Sequence, residues 1–168
     1  MVPARSSRHG LSCSRHLSRS QAETPLIPAV QISRASSVFD FSPSETVKTY
    51  SVEEIATEKI VALTDRARNQ PRDLFDIWKL QSEFGIDLAE LANPIAQKLV
   101  FRGRNAQELD EAFSRKEKAL KATWSTRLDP QMSSTPQFET VFREVRRVFR
   151  QSNIFDLVNV EQQRLKNT

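Results

Sequence analysis

Residues 50–80 dictate two helices and the break between them, and the rest of the chain has to fold around that pair. Ser51 stands where a helix N-cap accepts a hydrogen bond, and Glu54 follows three residues later, the spacing of a capping box. Tyr50 and Ile55 occupy the two positions of a hydrophobic staple around that cap. Asn69-Gln70-Pro71 ends the run: proline rarely continues a helix and readily begins one, so a second helix is predicted from Pro71. Gly85 is placed to stop it, as glycine commonly does just past a C-terminus. Leu74, Ile77 and Trp78 give this second helix a side to bury.

Downstream the pattern stays helical. Asp87 with Glu90 makes another capping pattern, and Leu88, Leu91 and Ile95 continue an apolar side until Asn93-Pro94 resets the helix. Asn105 with Glu108 opens a helix predicted from 106 to about 123, with Leu109, Phe113, Leu120 and Trp124 spaced for burial. Residues 129–134 read as a loop. Thr135-Pro136 is a cap residue followed by proline at the first helical position. Phe138, Val141, Phe142, Val145, Val148 and Phe149 then repeat at three and four, an amphipathic stripe. From about Ser152 the chain reads as a helical or coil tail. Upstream, Pro25, Pro28 and Pro43 exclude a helix through most of residues 25–50, while 29–32 and 47–50 alternate weakly as two short strands. Only 3 glycines in 168 residues leave little room for tight turns or a glycine-rich phosphate loop. The expected fold class is mainly α, a C-terminal bundle of about five or six helices preceded by a short β remnant.

Residues 1–24 are rich in serine and arginine and cannot bury enough apolar surface to offset their ordering entropy. They are expected to form a disordered tail. An organelle transit peptide is another reading, and the abrupt change of composition at their end favours a misassigned start. The remaining division is 25–50 as β remnant and loop, 51–152 as helical domain and 153–168 as tail. The net charge of +4 sits in the first segment: four of the 25 basic residues precede Gln21, and the other 21 are matched by 21 acids. The body of the chain has no global excess to neutralise phosphates, so nucleic-acid contact needs a local patch. The single Cys13 excludes an internal disulfide and cannot alone hold zinc. No apolar run approaches the ~20 residues of a membrane span, and no apolar signal core is present, so the expected location is cytoplasmic and away from membranes. Both histidines, His9 and His16, lie in the tail, which excludes a Ser/His/Asp triad from the folded part.

Lys59 and Arg66 are seven apart, two turns along one helix face, and Asp73 and Asp76 share a face on the next helix. Spacing alone leaves two readings: a functional cluster, or side chains that are solvated or paired across the turn with Arg66 and Arg72. Asp73, at a helix start, suits the positive end of the helix dipole and is the structural one of the two aspartates; Asp76 is the chemical one. Arg143, Arg146, Arg147 and Arg150 lie on the polar side of the last strong helix. They read either as a surface for an RNA backbone, since arginine suits phosphate, or as a solvated face broken by Glu139 and Glu144. Arg115, Lys116, Lys118 and Lys121, interleaved with Glu117, read the same way.

The run Glu58-Lys59, then Arg66, then Arg72-Asp73-Leu74-Phe75-Asp76 resembles the AbiEii/AbiGii family of nucleotidyltransferase toxins, over about residues 25–150 and most sharply over 47–80. Such proteins are the toxin halves of bacterial toxin–antitoxin and phage-abortive systems, and pair a small α/β nucleotidyltransferase domain with a C-terminal helical domain. The resemblance implies transfer from a nucleoside triphosphate, with Mg2+, onto a target such as tRNA or another RNA, and a cognate antitoxin as partner. It places Lys59 and Arg66 on the phosphates, Asp76 as metal ligand or base, and Asp73 beside it as a metal ligand. The strands of 25–50 become a remnant of the catalytic sheet. The family's earlier motifs, a Gly-Ser signature and an Asp-x-Asp pair, are absent: Gly10, Gly85 and Gly103 are not followed by serine, and no Asp-x-Asp occurs. The chain is therefore expected to be the truncated C-terminal portion of such an enzyme, inactive alone. The alternative is a non-catalytic helical module that binds an antitoxin or RNA.

Overall fold

The computed structural model describes residues 30–32 and 47–167; the serine- and arginine-rich segment lies outside them. Two three-residue strands, β1 (Val30–Ile32) and β2 (Val47–Thr49), pair antiparallel with Val30 opposite Thr49. All other regular structure among the described residues is helical.

Helix α1 (Val52–Leu63) begins where the sequence places it: Ser51 Oγ accepts the Glu54 N–H at 3.1 Å. Ala56, Ile60 and Leu63, one face of the helix, are buried. Tyr50 and Ile55, the expected staple pair, are both exposed. Helix α2 (Pro71–Phe84) has its proline at the first position and closes on Gly85, whose φ of 58° is the left-handed conformation that a side chain would strain. It buries Leu74 and Ile77, and Trp78 packs against the core from its edge. A 3-10 turn (Leu88–Leu91), capped by Asp87, runs into α3 (Ala92–Phe101). Pro94 falls in the first turn of α3, where its missing N–H has no intrahelical acceptor to lose.

The helix expected over 106–123 is segmented. A 3-10 turn (Ala106–Glu108) leads into α4 (Leu109–Arg115), and α5 (Glu117–Leu128) extends past the expected end. Between them the Lys116 N–H bonds the Phe113 carbonyl, three residues back, and tightens the turn. The last strong helix, α6 (Phe138–Gln151), starts at Gln137 rather than at Thr135-Pro136. The Pro136 carbonyl is occupied instead by the indole N–H of Trp124, 2.8 Å away. The apolar stripe of α6 is buried as its spacing predicts, apart from the half-buried Val148.

The segment expected as a tail from about Ser152 is helix α7 (Ile154–Lys166). Asn153 turns the chain at φ 52°, a conformation asparagine tolerates better than most residues. Ile154 and Val158 are fully buried, and α7 packs along α3. The core is continuous: α1 and α2 form an antiparallel hairpin, α2 leans on α5 and α6, and aromatic rings of α4, α6 and α7 meet within it. Phe113 stacks on Phe142 with centroids 4.9 Å apart and meets Phe149 edge-on at 5.2 Å. Phe155 of α7 closes the group against Phe149 at 5.1 Å.

Candidate functional site

Where α1 and α2 run side by side, Lys59 reaches across to both aspartates of the second helix. Its Nζ lies 2.6 Å from Asp76 Oδ2 and 3.2 Å from Asp73 Oδ1. Asp73 is 2% exposed at its side chain, whereas Lys59 and Asp76 keep 24% and 22% of theirs in solvent. That contrast separates the two carboxylates. Asp73 is enclosed by cations: Arg68 Nε donates to Oδ2 at 2.7 Å, and Arg68 Nη2 and Lys59 Nζ both donate to Oδ1 at 3.2 Å. Asp76 faces Lys59 and, at 3.8 Å, the exposed guanidinium of Arg72. The hydrogen bonds it donates to Asp73 hold the Arg68 guanidinium above its ordinary pKa.

Arg66, expected beside Lys59, is not in this cluster. Helix α1 ends at Leu63, so the two-turn spacing from Lys59 has no helix to act through, and Arg66 pairs on the surface with Glu108. Arg68 takes the place the sequence reading assigned to Arg66. The loop that positions it is tied down from distant elements. Asp65 Oδ1 accepts the Ala67 N–H at 2.9 Å, an Asx turn. Arg104 donates to the Val61 and Thr64 carbonyls at 2.9 and 2.6 Å, supplying at the C-terminus of α1 the positive charge its own last turn lacks. Lys116, buried, donates to the Arg68 carbonyl and, at 3.2 Å, to Asn69 Oδ1. Burial pushes the Lys116 ammonium and the Arg104 guanidinium below their ordinary pKa values.

Glu58, the neighbour of Lys59 in the sequence motif, points the other way. It accepts from Lys98 at 2.5 Å and from Arg102 at 2.9 Å, while Lys98 also donates to the buried Glu54 at 2.8 Å. This network joins α1 to α3 and leaves Lys59 to α2.

For a metal, the donor set is too small. Asp73 is held by three cationic donors, and no group of three or more histidine, cysteine, aspartate or glutamate side chains among the described residues is arranged to hold an ion. Phosphate oxygens fit better: Lys59, Arg68 and Arg72 outnumber Asp73 and Asp76, and the two guanidiniums are half or more exposed.

The family model for the nucleotidyl transferase AbiEii toxin of type IV toxin–antitoxin systems matches residues 20–144. The chain belongs to the AbiEii family. The match takes in the Lys59–Asp73–Asp76 cluster and all helices up to the first half of α6, and ends before α7. No curated protein and no solved structure matches the chain. No helix among the described residues is long and apolar enough to cross a membrane. Spacing failed to single out Arg68 and Arg104, and Lys116, which it placed in a basic surface run, is buried. Asp65, which starts the Asx turn, is the one local sign that α1 stops short of Arg66.

Proposed function

We propose that this AbiEii-family chain acts as a toxin by nucleotidyl transfer to an RNA such as tRNA, restrained by a cognate antitoxin, and that the α1–α2 cluster receives the triphosphate. The observation behind this reading is the 2.6 Å Lys59–Asp76 pair, partly open to solvent and anchored from beneath by the enclosed Asp73. Lysine offers a compact charge to phosphate oxygens, and the exposed Arg68 and Arg72 flank it. When phosphate draws Lys59 away, Asp76 Oδ2 is released to accept a proton from an attacking hydroxyl. Asp73 acts as the positioning anion that fixes Arg68 and Lys59. Because the sequence has neither a Gly-Ser nor an Asp-x-Asp motif, triphosphate binding is the property that tests this cluster directly.

Binding of labelled nucleoside triphosphates to the purified chain tests this. Lys59→Met should weaken binding about tenfold or more, the worth of one charged hydrogen bond, while helical content stays unchanged. Triphosphate affinity equal in wild type and variant would remove the proposed role of Lys59. Robust transfer to RNA by the chain alone, with Mg2+ supplied, would show that its active site is complete.

A further inference from the structure

We infer that the arginine face of α6 is a binding surface for the phosphate backbone of an RNA strand. The choice of RNA rests on the transferase reading above; the site itself rests on geometry. Arg143, Arg146, Arg147 and Arg150, at i, i+3, i+4 and i+7, line one open groove of about 460 Å³ together with Phe142, Glu117 and Glu139. None of the four guanidiniums has an ion-pair or hydrogen-bond partner among the described residues. Elsewhere Arg68, Arg72, Arg102 and Arg115 each lie within pairing distance of a carboxylate.

The acids that break this face in the sequence are engaged by other partners. Glu139 pairs with Lys121 at 2.6 Å, and Glu144 accepts the indole N–H of Trp78 at 2.5 Å. Glu117 is the second carboxylate lining the groove. With Glu139 already paired to Lys121, four guanidiniums face one unengaged carboxylate, and the groove keeps a net positive charge. Arg146 adds a second sign: its Nε is buried without an acceptor, a costly state that a turn of the guanidinium toward a phosphate in the groove would relieve.

The four arginines span a rise of about 10 Å along the helix, close to the three steps of about 3.4 Å between four successive phosphates on one strand of a duplex. Phe142, the aromatic residue of the groove, is buried in the core, so the face has no apolar side chain to insert into a lipid surface. Arg146, Arg147 and Arg150 lie beyond Glu144, where the family match ends.

Fluorescence anisotropy with a labelled RNA hairpin, a DNA hairpin of the same sequence and polyglutamate tests the inference on the full chain. The groove variant combines Arg143→Gln, Arg147→Gln and Arg150→Gln. The control combines Lys79→Gln, Arg127→Gln and Arg164→Gln, which removes the same charge from exposed positions outside the groove and keeps the N-terminal arginines. RNA affinity should fall about tenfold or more in the groove variant, with the slope of log affinity against log salt lowered by about 2 to 3. The control should stay within about twofold. If the triple groove variant loses helical content, Arg147→Glu, a single change at an exposed position, carries the comparison. Equal losses in groove and control variants overturn the inference, as do absent RNA binding at low salt and equal or tighter binding of DNA or polyglutamate. Triphosphate plays no part in this assay, so a failure of the Lys59 reading and a failure of the α6 surface are seen separately.

Discussion

At the scale of single residues, the two aspartates of α2 do different work although they are three positions apart on one face. Asp73 is enclosed and meets two cations, so removing its charge strands Arg68 against a buried amide and leaves Lys59 to Asp76 alone. Because those partners keep part of their surface in water, Asp73→Asn should cost about 2–4 kcal/mol, somewhat less than a wholly buried pair. Asp76 is more open, and Asp76→Asn should stay within about 1 kcal/mol of wild type. Urea unfolding of the two variants measures both. Equal losses would mean that burial does not distinguish the carboxylates, and with it would go the assignment of Asp73 as anchor.

At the scale of elements, α7 is a structural helix and its polar contact to the bundle is specific. Gln162, 1% exposed, accepts the Ala106 N–H at 2.9 Å and donates to the Arg104 carbonyl at 2.8 Å. It thereby orients the segment from which Arg104 reaches the end of α1. Gln162→Leu keeps the volume but orphans two backbone groups, each at about 1–3 kcal/mol. A loss of about 2–5 kcal/mol is expected in thermal or urea unfolding. A near-neutral result would mean that water satisfies those groups and that α7 is held by its apolar side chains, Ile154, Phe155 and Val158 among them.

For the whole molecule, two buried lysines from different elements give opposite pH dependences. Burial pulls Lys98 down, but hydrogen bonds with Glu54 and Glu58 outweigh it and hold its pKa above the ordinary lysine value. Its stabilising contribution is complete below the unfolded value of 10.5 and is lost as pH rises through the higher folded value. Lys116 is shifted below 10.5 by burial. Between its folded and unfolded values the unfolded chain binds more protons, and stability rises with pH. The urea midpoint should therefore climb as pH approaches the ordinary lysine value and fall beyond it. Lys116→Met should flatten the climb and Lys98→Met the fall; a variant curve parallel to wild type would contradict the corresponding assignment.

The helical class, the start of α1, both ends of α2 and the buried stripe of α6 are consequences of the sequence itself. Each depends on side chains no more than about a turn or two apart, such as Ser51 with Glu54 or Pro71 with its own fixed φ, and the geometry of one helix carries them. Which cation reaches Asp73, why Lys116 is buried rather than solvated, and why residues 154–166 are part of the core were decided only by the tertiary structure. The Lys116 and Gln162 contacts join residues 47 to 58 positions apart, and no local spacing encodes them. Arg66 and Arg68 differ by two positions in a loop, and the choice between them follows from where α1 stops and from the hold of Arg104 and Lys116 on that loop.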